Sequence, residues 1–183
     1  MVFDTGATLT TVSPKLLDEL EIDVPDDAPT ITLQTANGTR QSPLLLLDRL
    51  WLGGFAVEGV SVSVCDNCGD LNGLIGLNVS SMFRVEVDQQ NRELTFHPRD
   101  GDRHLDITHW LKLGLTRGRG GLSVTATNRS PRTVTGAVFE GDCGDGVATA
   151  RLDPIPPGEA MSAVFDGPLP CQRPTISLMQ AVW

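Results

Sequence analysis

The stretch Val2-Phe3-Asp4-Thr5-Gly6-Ala7 decides how the rest of the chain is read. Two apolar residues read as the end of a β-strand, and the Asp-Thr-Gly that follows turns the backbone sharply. Asp in such a turn accepts backbone N–H groups on its own carboxylate, and Gly supplies backbone freedom that a side chain would deny. Alone, the triplet is short enough to occur by chance and describes no more than a turn closing a strand. Its neighbours decide what it is for.

Ser13-Pro14 is a helix start, with a hydroxyl cap followed by a residue whose fixed φ suits the first helical position, so a short helix is expected over Lys15 to Leu20. The Asp- and Pro-rich run Asp23 to Pro29 ends it. Thr30 to Gln34 alternates as a half-buried strand does, Asn37-Gly38 signals a hairpin tip, and Thr39 to Leu47 leads back. Leu50-Trp51-Leu52, Gly53-Gly54, Phe55 to Val57 and Val60 to Val64 read as a further strand, turn and strand series. Leu74-Ile75-Gly76-Leu77 is a compact apolar run with a central Gly. Phe83 to Val87 and Glu93 to Phe96, separated by Asp88 to Asn91, make a terminal hairpin.

The chain has 183 residues, 14 Lys plus Arg against 23 Asp plus Glu, and a formal charge of −9. Such a balance repels phosphate backbones and acidic membrane surfaces, so no nucleic-acid partner is expected. Arg117-Gly118-Arg119 is too short to reverse that conclusion and reads as a solvated loop. No apolar run reaches the roughly 18 residues of a membrane span. The cysteines at 65, 68, 143 and 171 are spaced as one local and one long-range pair, which suggests bridges Cys65 to Cys68 and Cys143 to Cys171. Bridges of that kind place the chain in an oxidising compartment, periplasmic or extracellular. His97, His104 and His109 have no ligand spacing with Cys65-Asp66-Asn67-Cys68, and no metal or cofactor is expected.

Taken together, the Asp4-Thr5-Gly6-Ala7 turn, the hairpin with a Gly tip, Leu74-Ile75-Gly76-Leu77-Asn78 and the closing hairpin from Arg84 to Phe96 resemble the retropepsin-like aspartic proteases. The resemblance spans about Val2 to Pro98, just over half the chain. It implies that Asp4 is the catalytic carboxylate, that Thr5 and Gly6 brace two active-site loops against each other, and that Ala36, Asn37, Gly38 and Thr39 form a flap tip over the substrate beside Ala7. Leu74, Ile75 and Gly76 would be the apolar support behind the catalytic loop. With no second Asp-Thr-Gly or Asp-Ser-Gly in the chain, a homodimer is expected to supply the other carboxylate. Strands that precede the Asp in this family are expected upstream of Met1. Ala7 cannot donate a hydrogen bond toward the carboxylate as a Ser there could, so an optimum only mildly acidic is expected.

From about Leu105 the chain is a series of short β-like runs, Leu122 to Ala126, Thr133 to Phe139, Val147 to Leu152, Ala160 to Phe165 and Thr175 to Val182, separated by Gly, Pro and Asn. The expected architecture is therefore mainly β: an acid-protease barrel with one short helix over residues 1–98, and a small disulfide-bonded sandwich over 105–183. The function expected is a homodimeric endopeptidase acting on peptide or protein substrates. A rival reading is a catalytically inactive protease fold serving as a binding or assembly module of the cell envelope. Asn128-Arg129-Ser130 and Pro156-Pro157-Gly158 resemble small extracytoplasmic sandwich domains and carry that alternative. Asn37, Asn78 and Asn128 each open an N-x-S/T triplet, read here as chance. Trp51, Trp110 and Trp183 are expected in a core or an interface.

Overall fold

A computed structural model describes residues 1–35, 38–65, 68–99 and 104–183, except for the side chains at 104 and 105. Strands dominate the chain, which divides into two units, Met1–Gly101 and Asp102–Trp183. No described helix is long and apolar enough to cross a membrane.

In the first unit a curled, half-barrel sheet contains β1 (Val2–Phe3), β2 (Thr10–Val12), β3 (Thr30–Thr35), β4 (Gly38–Leu52), β5 (Phe55–Val64) and β6 (Gly73–Ile75), in the spatial order β1-β6-β2-β5-β4-β3. Helix α1 (Pro14–Glu19) starts where the sequence places it, with Ser13 Oγ accepting from Leu16 N at 3.1 Å. Its Leu17 drops into a core shared with Val12, Val60, Val62, Ile75 and Val79, the last of these from the single-turn helix α2 (Leu77–Ser80). A separate hairpin of β7 (Phe83–Asp88) and β8 (Glu93–Pro98) closes the unit. Phe3 meets Phe96 at 6.1 Å between ring centroids, Phe96 meets Phe83 at 5.6 Å, and Phe83 meets Phe55 at 5.8 Å, so aromatic contacts link β1 to this hairpin.

The stretch Leu50 to Leu52 is not a strand of its own. Strand β4 runs unbroken for 15 residues, pairing first with β3 and then, from Leu44 opposite Ser63 to Leu52 opposite Phe55, with β5. The charged interruption at Asp48-Arg49 is tolerated because Arg49 donates across the pair to Glu58 Oε1 at 2.7 Å. Gly53 (φ 55°) and Gly54 (φ 88°) make the left-handed turn that joins the two strands. Trp51 is 67% exposed, with the Arg49 guanidinium 6.0 Å above its ring, so it belongs to the surface and not to the core expected of it. The expected hairpin tip at Ala36 and Asn37 lies outside the described residues.

The second unit is a sandwich of two three-stranded sheets. One has the order β13-β10-β9, with β9 (Leu111–Gly118), β10 (Gly121–Asn128) and β13 (Ala160–Val164). The other has the order β12-β11-β14, with β11 (Thr135–Asp142), β12 (Val147–Leu152) and β14 (Thr175–Val182). Alternate residues Leu122, Val124 and Ala126 of the first sheet meet Phe139, Ala148, Ala150 and Leu178 of the second in one core. Two elements here escape the sequence reading, α3 (His104–Thr108) and β9. Strand β9 is an edge strand buried only at Leu111, so burial imposes no alternation on its sequence. Arg117, expected in a solvated loop, lies in this strand and its Nη2 donates to Leu169 O at 3.2 Å and Cys171 O at 2.8 Å.

Asn128 is fully buried: its Nδ2 donates to Arg132 O at 2.7 Å and Ile155 O at 2.9 Å, and its Oδ1 accepts from Ser130 N and Oγ. With Asn78 also buried and bonded, neither amide is available for modification in the folded chain.

Cys143 and Cys171 are bridged across a sequence separation of 28, a loop whose closure constrains the unfolded chain by roughly 3 kcal/mol. The Cys143→Ser/Cys171→Ser chain is therefore expected to lose about that much unfolding free energy, measured by urea denaturation followed at the buried Trp110. Burial holds the His109 imidazole below its ordinary value of 6.5. The unfolded chain then takes up that proton first, so the stability tied to His109 is complete above about pH 6.5 and is lost as pH falls through the lowered folded value. Calorimetric midpoints are expected to fall between pH 7 and pH 5, with a shallower slope in His109→Gln.

Candidate active site

Strand β1 is only two residues long, and parallel pairing with β6, Val2 opposite Leu74 and Phe3 opposite Ile75, fixes where it ends. The next residue, Asp4, extends the ladder by donating its N–H to Ile75 O at 3.1 Å. Its carboxylate then folds back: Oδ1 accepts the Gly6 N–H at 2.8 Å, and the Ala7 N–H approaches Asp4 O at 3.4 Å. The turn read from the sequence is thus present, with Asp4 half-buried and Thr5 and Gly6 exposed. No donor among the described residues hydrogen-bonds Oδ2, which leaves that oxygen to water or to a ligand.

Beyond the turn the backbone is zipped to the segment after β6. Leu77 N donates to Ala7 O at 2.8 Å and Asn78 N donates to Thr8 O at 3.0 Å. A buried side-chain relay reinforces the zipper. Thr10 Oγ1 accepts from Gly76 N at 3.1 Å and donates to Asn78 Oδ1 at 2.9 Å, the same Oδ1 accepts Thr10 N at 2.7 Å, and Asn78 Nδ2 donates to Ser61 O at 2.8 Å. Thr10 is 0% exposed and Asn78 2%, so these bonds form away from competing water and link β2, β5 and the start of α2.

Gly76 makes the approach possible. A Cβ at this position would lie 2.5 Å from the Leu9 carbonyl carbon and 2.8 Å from Thr10 N, closer than backbone atoms tolerate. Of the three residues expected to support the loop, Gly76 is therefore in direct backbone contact with the segment that follows Ala7. Ile75 is in the core and bonds Asp4 through its carbonyl, while half-buried Leu74 faces a cavity.

That cavity, about 340 Å³, opens between the β3–β4 hairpin and the sheet, walled by Thr11, Leu33, Arg40, Val64, Leu74 and the Cys65–Cys68 pair, which is at disulfide distance. Asp4 does not line it. Gly38 and Thr39 begin β4 and are exposed, and among the described residues no hydrogen bond joins them to the Asp4 turn. Ala36 and Asn37 lie outside the described residues, and the described residues hold no cluster of ligands suited to a metal ion.

Sequence reasoning missed Thr10 and the structural use of Asn78. The one available signal was that Asn, a poor residue for an apolar run, follows Leu74-Ile75-Gly76-Leu77 directly. Asn78→Ala leaves the Thr10 N–H and the Ser61 carbonyl buried without this partner, and is expected to cost about 3 kcal/mol in urea unfolding.

No curated protein matches the chain. The model of the aspartyl protease family matches residues 1–79, a span that contains the Asp4 turn, the β3–β4 hairpin and the Thr10–Asn78 relay. The strand-rich first unit, its turn geometry and this match agree, and the N-terminal part of the chain is that of a retropepsin-like aspartyl protease family.

Proposed function

We propose that the chain is an aspartic endopeptidase in which Asp4 of one copy faces Asp4 of a second copy across a two-fold axis. The supporting observation is the state of that carboxylate: one oxygen is fixed by the Gly6 N–H at 2.8 Å, and no described donor bonds the other. Thr5 and Gly6 are exposed, as residues must be if they are to brace a symmetry-related turn.

Two carboxylates held side by side cannot both ionise cheaply, so the pair keeps one shared proton. The ionised member takes a proton from a water lying between them, and the water oxygen attacks the scissile carbonyl carbon. The protonated member hydrogen-bonds the carbonyl oxygen and stabilises the negative charge that develops on it. Collapse of the tetrahedral intermediate breaks the C–N bond, and the amine leaves with a proton from the pair. An extended peptide backbone beneath the β3–β4 hairpin would be held by strand-like hydrogen bonds, with Ala7 and the stretch from Ala36 to Thr39 beside it. Cys65–Cys68 and Cys143–Cys171, both at disulfide distance, are compatible with work outside the cytoplasm, in a periplasm or beyond the cell.

The test is cleavage of a diverse peptide library read by mass spectrometry, with sedimentation to fix the oligomeric state. Turnover is expected from the dimer, best in mild acid, and Asp4→Asn is expected to reduce it by at least about a thousandfold while leaving the dimer intact. Peptide binding without turnover would transfer support to the inactive binding module.

A further inference from the structure

The cavity beside the Asp4 turn has a wall chemistry that implies selection. Its apolar surface comes from Leu33 on the hairpin, Val64 at the end of β5, Leu74 on β6 and the sulfurs of Cys65 and Cys68. The cysteine segment is anchored to the sheet: Cys65 N donates to Val12 O at 3.0 Å, and Leu71 N donates to Cys68 O at 3.1 Å on the way to β6. A bridge of sequence separation 3 therefore turns what would be loop into a fixed side of the cavity. Arg40 is the one charged residue of the lining, carried on β4 opposite Leu33. Leu74 is also the immediate neighbour of Ile75, whose carbonyl accepts from Asp4, so the cavity begins one residue along β6 from the carboxylate's anchor.

From this arrangement we infer that the bridge and Arg40 determine specificity: the cavity receives one aliphatic side chain of an extended peptide, of Leu or Met type, and excludes Lys and Arg. Apolar walls reward burial of an aliphatic chain in proportion to the area removed from water. A cationic side chain entering the same space would lose hydration and meet a like charge, and such built-in repulsion is an effective discriminator. At about 340 Å³ the space lies at the small end of the range typical of ligand pockets, which suits one side chain more than a folded partner. The inference rests on the endopeptidase reading for its location, and its test separates the two.

Peptides carrying Leu, Met, Lys or Glu at each position in turn are measured twice, for cleavage by the unaltered chain and for binding to Asp4→Asn. One position is expected to favour Leu and Met over Lys by at least about tenfold in both measurements. Arg40→Glu is expected to narrow or invert that ratio at the same position, a gain of Lys acceptance that loss of folding cannot produce. Cys65→Ser/Cys68→Ser is expected to blunt the Leu preference through KM more than kcat.

If cleavage depends on Asp4 yet Arg40→Glu leaves the Leu to Lys ratio within about twofold, the specificity inference is overturned and the endopeptidase stands. If nothing is cleaved but binding shows the preference and its inversion, the inference stands and the endopeptidase falls. Absence of both cleavage and selective binding overturns both.

Discussion

The first unit depends on one close approach, the packing of Gly76 against the backbone of Leu9 and Thr10. No residue with a Cβ fits there, since the added atom would meet a carbonyl carbon at 2.5 Å. That contact brings Gly76 N onto Thr10 Oγ1, and the same hydroxyl passes its own proton to Asn78. The result is two chain segments, one leaving the Asp4 turn and one leaving β6, locked by bonds that water cannot reach. A carboxylate that is to work with a second copy must be placed within a fraction of an ångström, and such a lock is how a short exposed turn acquires that precision.

The features legible in the sequence were those set by local chemistry. Ser13-Pro14 marked the start of α1 because capping needs only a hydroxyl and a suitable φ. The alternation in Thr30 to Gln34 and Phe83 to Val87 marked strands because one face of each is more buried than the other. The Asp4-Thr5-Gly6 turn was readable for the same reason, since its carboxylate bonds a backbone N–H two residues on.

What could not be read was set at long range. Strand β9 shows no periodic burial, so only its pairing with β10 reveals it as a strand. The continuity of β4 through Asp48-Arg49 depends on Glu58, which lies across the sheet. Thr10 and Asn78 are 68 residues apart, and neither residue type in isolation signals a buried partner. Ala36 and Asn37, where the sequence pattern marks a hairpin tip, lie outside the described residues. The coupling of Asp4 to a second copy is a property of two chains and enters as part of the proposed function.

That coupling is tested most directly by mixing. Unaltered chain and Asp4→Asn chain, unfolded together and refolded at varied ratios with total protein held fixed, redistribute into pure and mixed dimers. If each site is built from two Asp4 carboxylates, peptidase activity will follow the square of the unaltered fraction, because a mixed pair has one acid where two are needed. Activity falling in direct proportion to that fraction would mean that each chain works alone, and would contradict the shared site.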